Sequence, residues 1–163
     1  MPTYLTIMNK PEKDAYRVLV ADDSDDDRLL LRAAMRRAAR LRIVAEVADG
    51  CEVIAYLQGR DAYANRKRYP LPDLLLLDLK MPLMDGFEVL EWMGKQSFPG
   101  LTVVVLTASM QAEHIKRALD QGADLFQVKP RTNQEREAMV LALEELVGDE
   151  SKGASGQLSS RSG

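Results

Sequence analysis

Hydrophobic and polar positions along the chain alternate in short blocks. Tyr16-Arg-Val-Leu-Val-Ala21 is a β-branched, apolar run that stops at acids and predicts a first strand. From Asp25 to Ala39 the spacing predicts a helix. Leu29, Leu30, Ala33, Ala34 and Ala38 lie near one face, the arginines occupy the rest, and Ser24 or Asp25 serves as N-cap. Arg42 to Val47 predicts a second strand, and Cys51 to Leu57 a short helix ended by Gly59. The breaker-rich stretch Gly59 to Pro72 reads as a long surface loop. Leu74-Leu-Leu-Leu77 is apolar on both faces, the pattern of a strand covered by helices on both sides, and it runs into Asp78.

Asp85-Gly86 marks a turn before a helix from Phe87 to Gln96, with Trp92 and Met93 as core residues. Leu101 to Leu106, Ala112 to Gln121, Leu125 to Val128 and Thr132 to Val147 follow as strand, helix, strand and helix. Such alternation predicts a doubly wound α/β fold, a five-stranded parallel sheet of flavodoxin-like order 2-1-3-4-5 with five helices. The reading divides the chain into a polar leader at 1–14, one domain at 15–147 and a flexible tail at 148–163. The tail holds four Gly and five Ser.

Composition narrows the function more than the fold. A net charge of −3 gives no bulk attraction to nucleic acid or a membrane surface. The longest apolar run is too short to span a bilayer, no secretory signal pattern opens the chain, and the expected location is cytoplasmic. Cys51, the single cysteine, excludes an internal disulfide and reads as a packed small residue.

In the predicted sheet, four strands end on polar residues: Asp22 and Asp23, Asp78, Thr107 and Lys129. Ligands of such sheets bind beyond the carboxyl ends of the strands, where strand order reverses. An acid after a strand is by itself most often a cap or turn residue; the joint set carries the chemistry. Carboxylates about 5 Å apart repel by roughly 3 kcal/mol per pair at an effective dielectric near 20. A cation relieves that, and all-oxygen ligands suit Mg²⁺. A carboxylate nucleophile, a metal, a lysine and a hydroxyl meet the needs of phosphoryl transfer to aspartate.

Over about residues 15–147 the chain resembles the receiver domain of two-component response regulators. Val18-Leu-Val-Ala-Asp-Asp23, Pro72 through Pro82 with Asp85-Gly86, Val105-Leu-Thr-Ala108 and Gly122-Ala-Asp124 through Lys129-Pro130 carry the likeness. The resemblance implies Asp78 as phosphorylation site, with Asp22, Asp23, Asp78 and the Lys80 backbone carbonyl as Mg²⁺ ligands. It also implies Lys129 as the phosphoryl-contacting lysine and Thr107 with Phe126 as the switch pair. The peptide before Pro130 is often cis in the family. Within the family, the chain looks most like single-domain regulators paired with bacteriophytochrome histidine kinases. The implied partners are such a kinase, a downstream protein target, and a second copy bound through helix 4, strand 5 and helix 5.

Lys80, the long 59–72 loop and the run Asp25-Asp-Asp27 depart from the common pattern. The acidic run reads as favourable charge at a helix start, and His114 as a solvated side chain. Three rival functions remain in view. A haloacid-dehalogenase-type phosphatase needs a second Asp where Lys80 stands. A nucleotide or flavin carrier needs a Gly-rich loop after strand one. A phosphorylation-independent binding module would be expected to lack an acid, the Thr or the Lys.

Overall fold

The computed structural model describes residues 14–108 and 110–148. The expected leader (apart from Asp14) and the tail after Gly148 lie outside them. Five parallel strands form one sheet in the order β2-β1-β3-β4-β5. They are β1 (Tyr16–Ala21), β2 (Leu41–Val47), β3 (Leu74–Asp78), β4 (Thr102–Thr107) and β5 (Leu125–Val128). The helices are α1 (Asp25–Met35), α2 (Gly50–Gln58), α3 (Gly86–Met93), α4 (Ala112–Asp120) and α5 (Asn133–Gly148). None of them is long and apolar enough to cross a membrane.

Alternate residues of the central strands feed two cores. Leu19, Leu75, Leu77, Val103 and Val105 face α2, α3 and α4, while Val18, Val20, Leu74, Leu76 and Val104 face α1 and α5. Every residue of β3 is buried, as its unbroken leucine run requires. At the strand entry, buried Asp73 accepts from the Arg17 backbone N–H at 2.9 Å and pairs with the Arg17 guanidinium at 3.2 Å.

Helix α1 departs from expectation in length and rotation. Ser24 caps it by accepting from the Asp27 N–H, but it ends at Met35 rather than Ala39. The chain must turn there, because the Arg40 carbonyl accepts from Tyr16 N–H and Leu41 pairs with Tyr16 to start β2. The buried stripe is Leu31 and Met35, with Ala34 and Ala38 packed beside it; Leu29 and Leu30 are 55% and 41% exposed. Three consecutive leucines leave the stripe ambiguous in sequence. The pairing of Arg28 and Arg32 with Glu46 of β2 selects the rotation.

The stretch 59–72 is not a free surface loop. Gly59 ends α2 in the left-handed conformation (φ 65°), and a 3-10 turn follows at Asp61–Tyr63. Arg66 then reaches back to donate to the carbonyls of Tyr56, Leu57 and Tyr69. Tyr56, Tyr63 and Tyr69 form a ring cluster with centroids 5.0–6.1 Å apart. The Tyr56 hydroxyl donates to the Pro70 carbonyl, and burial pushes its pKa up to about 12. Cys51, expected to be packed, is exposed on α2. The Lys129–Pro130 peptide is trans.

Helix α3 begins with a capping box between Asp85 and Glu88 and stops at Met93, short of Gln96. Trp92, placed in the core by sequence, is only half-buried and rests against Phe98. Gly86 lets the start of α3 press on the end of β3. A Cβ there would lie 2.5 Å from the Asp78 carbonyl oxygen and 2.8 Å from Leu79 Cα, both backbone atoms with little room to give. Gly86→Ala is expected to cost about 1–3 kcal/mol, read as a lowered urea midpoint at unchanged slope.

Candidate functional site

Strand direction delivers the site. Parallel β1, β3, β4 and β5 all end on one rim of the sheet, and the polar residues that follow them share one crevice. Asp22 follows β1 and Asp78 closes β3; both are buried, at 6% and 5% exposure, whereas Asp23 is exposed. Carboxylate oxygens of Asp22, Asp23 and Asp78 lie within 4.8 Å of one another. Such a set of hard oxygen donors, with open solvent on the Asp23 side, fits a divalent cation of the Mg²⁺ kind.

Lys129 follows β5, and its Nζ lies 2.8 Å from Asp22 Oδ2, 2.9 Å from Asp78 Oδ2 and 3.0 Å from Asp27 Oδ2. Its backbone N–H donates to the Thr107 carbonyl, which ties the β5 end to the β4 end. The remaining oxygen of Asp78 accepts from the Lys80 N–H at 3.1 Å, and that of Asp22 from the Ser24 N–H at 2.9 Å. Burial and the Asp22 charge push the Asp78 carboxyl above its ordinary value, against the opposing pull of Lys129. For Lys129, burial alone would lower the pKa, but its bonds to Asp22 and Asp78 outweigh it and the ammonium is held above its ordinary value.

The α4 side of the crevice is open. A cavity of about 450 Å³ is lined by Asp23, Lys80, Pro82, Phe87, Thr107 and His114, among others. Thr107 is buried at the end of β4. Phe126 pairs with Val105 in the sheet and is half-buried against the core. The Lys80 side chain is exposed and, among the described residues, makes no ion pair with the acids; the cation seated among them is Lys129.

Sequence reasoning missed two members of this neighbourhood. Asp27, read as plain helix-start charge, bonds Lys129; it stands one turn after Asp23, so the helix period carried that signal. His114 is not simply solvated: its ring meets Phe87 edge-on at 5.6 Å, while Arg117 covers Phe87 at 4.1 Å.

The model of the response regulator receiver domain matches residues 18–141. The chain belongs to the response regulator receiver family. Among solved receivers, the phosphorylated cyanobacterial phytochrome response regulator RcpA is 30% identical, with a TM-score of 0.70 over 81% of this chain and 93% of that one. The regulator RPA3017, in red light signaling of R. palustris, is 33% identical, with a TM-score of 0.70 over 80% and 92%. The Mn²⁺-bound response regulator Rcp1 is 28% identical, with a TM-score of 0.68 over 83% and 96%. The receiver spans about half the length of curated relatives such as the transcriptional regulatory protein YhcZ of Bacillus subtilis, 32% identical over 113 residues, 69% of this chain and 48% of that protein.

The raised Asp78 carboxyl has a signed consequence for stability. A carboxyl whose pKa is higher in the folded state binds its proton more tightly there. Stability is therefore lost as pH rises from 3.8 upward through the folded value. Asp78→Asn lacks that loss, and Lys129 keeps Asp22 and Asp27 as partners. In cation-free buffer at pH 7 the variant should melt about 2–4 °C above the wild type. Calorimetry across pH should show the gap closing below 3.8.

Proposed function

We propose that the protein is a response regulator whose receiver accepts a phosphoryl group on Asp78 from the phosphohistidine of a sensor kinase. The observation that carries this reading is the buried Asp78 carboxylate at the end of β3, flanked by Asp22 and Asp23 and bonded to Lys129. In the transfer one Asp78 oxygen bonds to phosphorus as the phosphorus–nitrogen bond breaks, and its electron pair returns to the imidazole. Asp22, Asp23, Asp78 and the Lys80 carbonyl would hold Mg²⁺, which supplies charge neutralisation on the phosphoryl oxygens. Lys129 offers a second cation at the phosphoryl group, and Thr107 a hydroxyl donor from the β4 rim.

The likeness to the phytochrome regulator RcpA and to RPA3017 of red light signaling supports a bacteriophytochrome kinase as donor; the proposed location is cytoplasmic. Thr107 closes β4 and Phe126 lies on the adjacent β5, so a turn of Thr107 toward the phosphoryl group frees space for the Phe126 ring. The change is read at the α4–β5–α5 face, by a downstream protein or a second copy of the chain. The protein assists its own phosphorylation and dephosphorylation without being a turnover enzyme. Nucleic acid and membrane surfaces are not among the proposed partners.

Intact mass after incubation with acetyl phosphate and Mg²⁺ should show one added phosphoryl group on the wild type and none on Asp78→Asn. Equal labelling of both would defeat the assignment. No labelling of either, with partner binding intact, would favour a phosphorylation-independent module.

Lys80 is proposed to set the lifetime of the phosphoryl group. Its exposed side chain lines the open crevice through which an attacking water must pass, and hydrolysis needs in-line approach. Dephosphorylation of Lys80→Ala at saturating Mg²⁺ should be faster than wild type; equal rates would return Lys80 to the surface.

A further inference from the structure

An ammonium has three N–H donors, and those of Lys129 face three carboxylates, Asp22, Asp27 and Asp78, at 2.8–3.0 Å. No donor is left over. A phosphoryl group arriving on Asp78 takes the charge off that carboxylate and brings three oxygens of its own, so the donor on Asp78 passes to the group. A second bond to it needs Lys129 to release Asp22 or Asp27. The Asp22 side chain is 8% exposed, so releasing it leaves a buried carboxylate one donor short with no water to replace it. The Asp27 side chain is 46% exposed and is the least costly to release.

A second cation waits beside it. Arg136 of α5 is 7% exposed, and its guanidinium donates to the neutral amide oxygen of Asn133 at 2.7 Å. Among the described residues no carboxylate pairs with it. A buried guanidinium without an anion is costly, and a receiver has few reasons to keep one. Asp27, Asp22, Lys129 and Arg136 line one small cavity of about 20 Å³ between α1 and α5, room for about one water.

We propose that Asp27 is the partner Lys129 gives up when Asp78 is phosphorylated, and that its freed carboxylate turns to Arg136, drawing α1 toward α5 at the loaded site. Asp27 and Arg136 are positioning residues: neither touches the phosphoryl group. The inference rests on Asp78 being the acceptor. It adds a route by which occupancy of the site reaches the α1–α5 side of the sheet, opposite the α4 crevice.

The test is a double-mutant cycle read as the affinity for beryllofluoride at saturating Mg²⁺, followed by ¹⁹F resonance on the full chain. Arg136→Met removes the landing place for Asp27 and should weaken beryllofluoride binding about two- to five-fold, the size of one partly exposed ion pair. In an Asp27→Asn background the same change should have no effect, whereas Asp27→Glu should restore it. Arg136→Lys keeps the charge and should stay near wild type, which separates loss of the pair from loss of folding. Equal weakening by Arg136→Met in both backgrounds, or none in either, overturns the hand-off. Failure of the wild type itself to bind beryllofluoride would instead sink the assignment of Asp78.

Discussion

The Lys129 ammonium sits among carboxylates supplied by the β1 end, the β3 end and the first turn of α1, and the architecture of the rim depends on it. Two of those acids, Asp22 and Asp78, are buried. Unpaired charges at such depth would carry a desolvation penalty of several kcal/mol each. Like charges at these separations also repel by roughly 3 kcal/mol per pair at an effective dielectric near 20. One cation offsets both terms, because its donors reach all three acids at hydrogen-bonding distance. The same residue ties down the sheet's far edge: Lys129 belongs to the segment leaving β5, and its backbone N–H donates to the Thr107 carbonyl at the end of β4.

That electrostatic arrangement explains why the two sides of the rim differ. Toward α1 and α5 the acids are satisfied by the Lys129 ammonium and the Ser24 N–H, and only a water-sized cavity remains. Toward α4 Asp23 and the side chain of Lys80 are exposed, and the crevice is wide. Among the described residues the rim is therefore open to solvent on the α4 side. Gly86 brings α3 against the β3 backbone on this open side, so the loop after Asp78 is braced rather than slack.

Much of this was legible in the sequence, for identifiable reasons. The Leu74–Leu77 run has no polar alternation and suits a strand covered on both faces, which places Asp78 at a strand end. Strand boundaries fall within a residue or so of those observed, because acids, Pro and Gly punctuate most of them. The α1 face was not legible. Leu29, Leu30 and Leu31 satisfy a helical stripe in more than one rotation, and the tie is broken by Glu46, which lies on another strand. The 59–72 segment failed similarly: its polar composition hid Arg66, whose guanidinium bonds three carbonyls, and the tyrosines that pack beneath it.

Asp27 shows most clearly where composition misleads. Three consecutive acids at a helix start are favourable to the helix dipole wherever they point, so the run offers a sufficient account of itself without any site. Only geometry separates them: Asp25 engages Arg28, and Asp27 reaches Lys129. An acid that bonds the central lysine while staying half exposed is poised differently from Asp22, which the fold has committed. It stabilises the ammonium at little desolvation cost, and for the same reason it can be released at little cost. Under the proposed phosphorylation of Asp78 such a partner eases the change, since a lysine locked among buried acids alone would resist new oxygens.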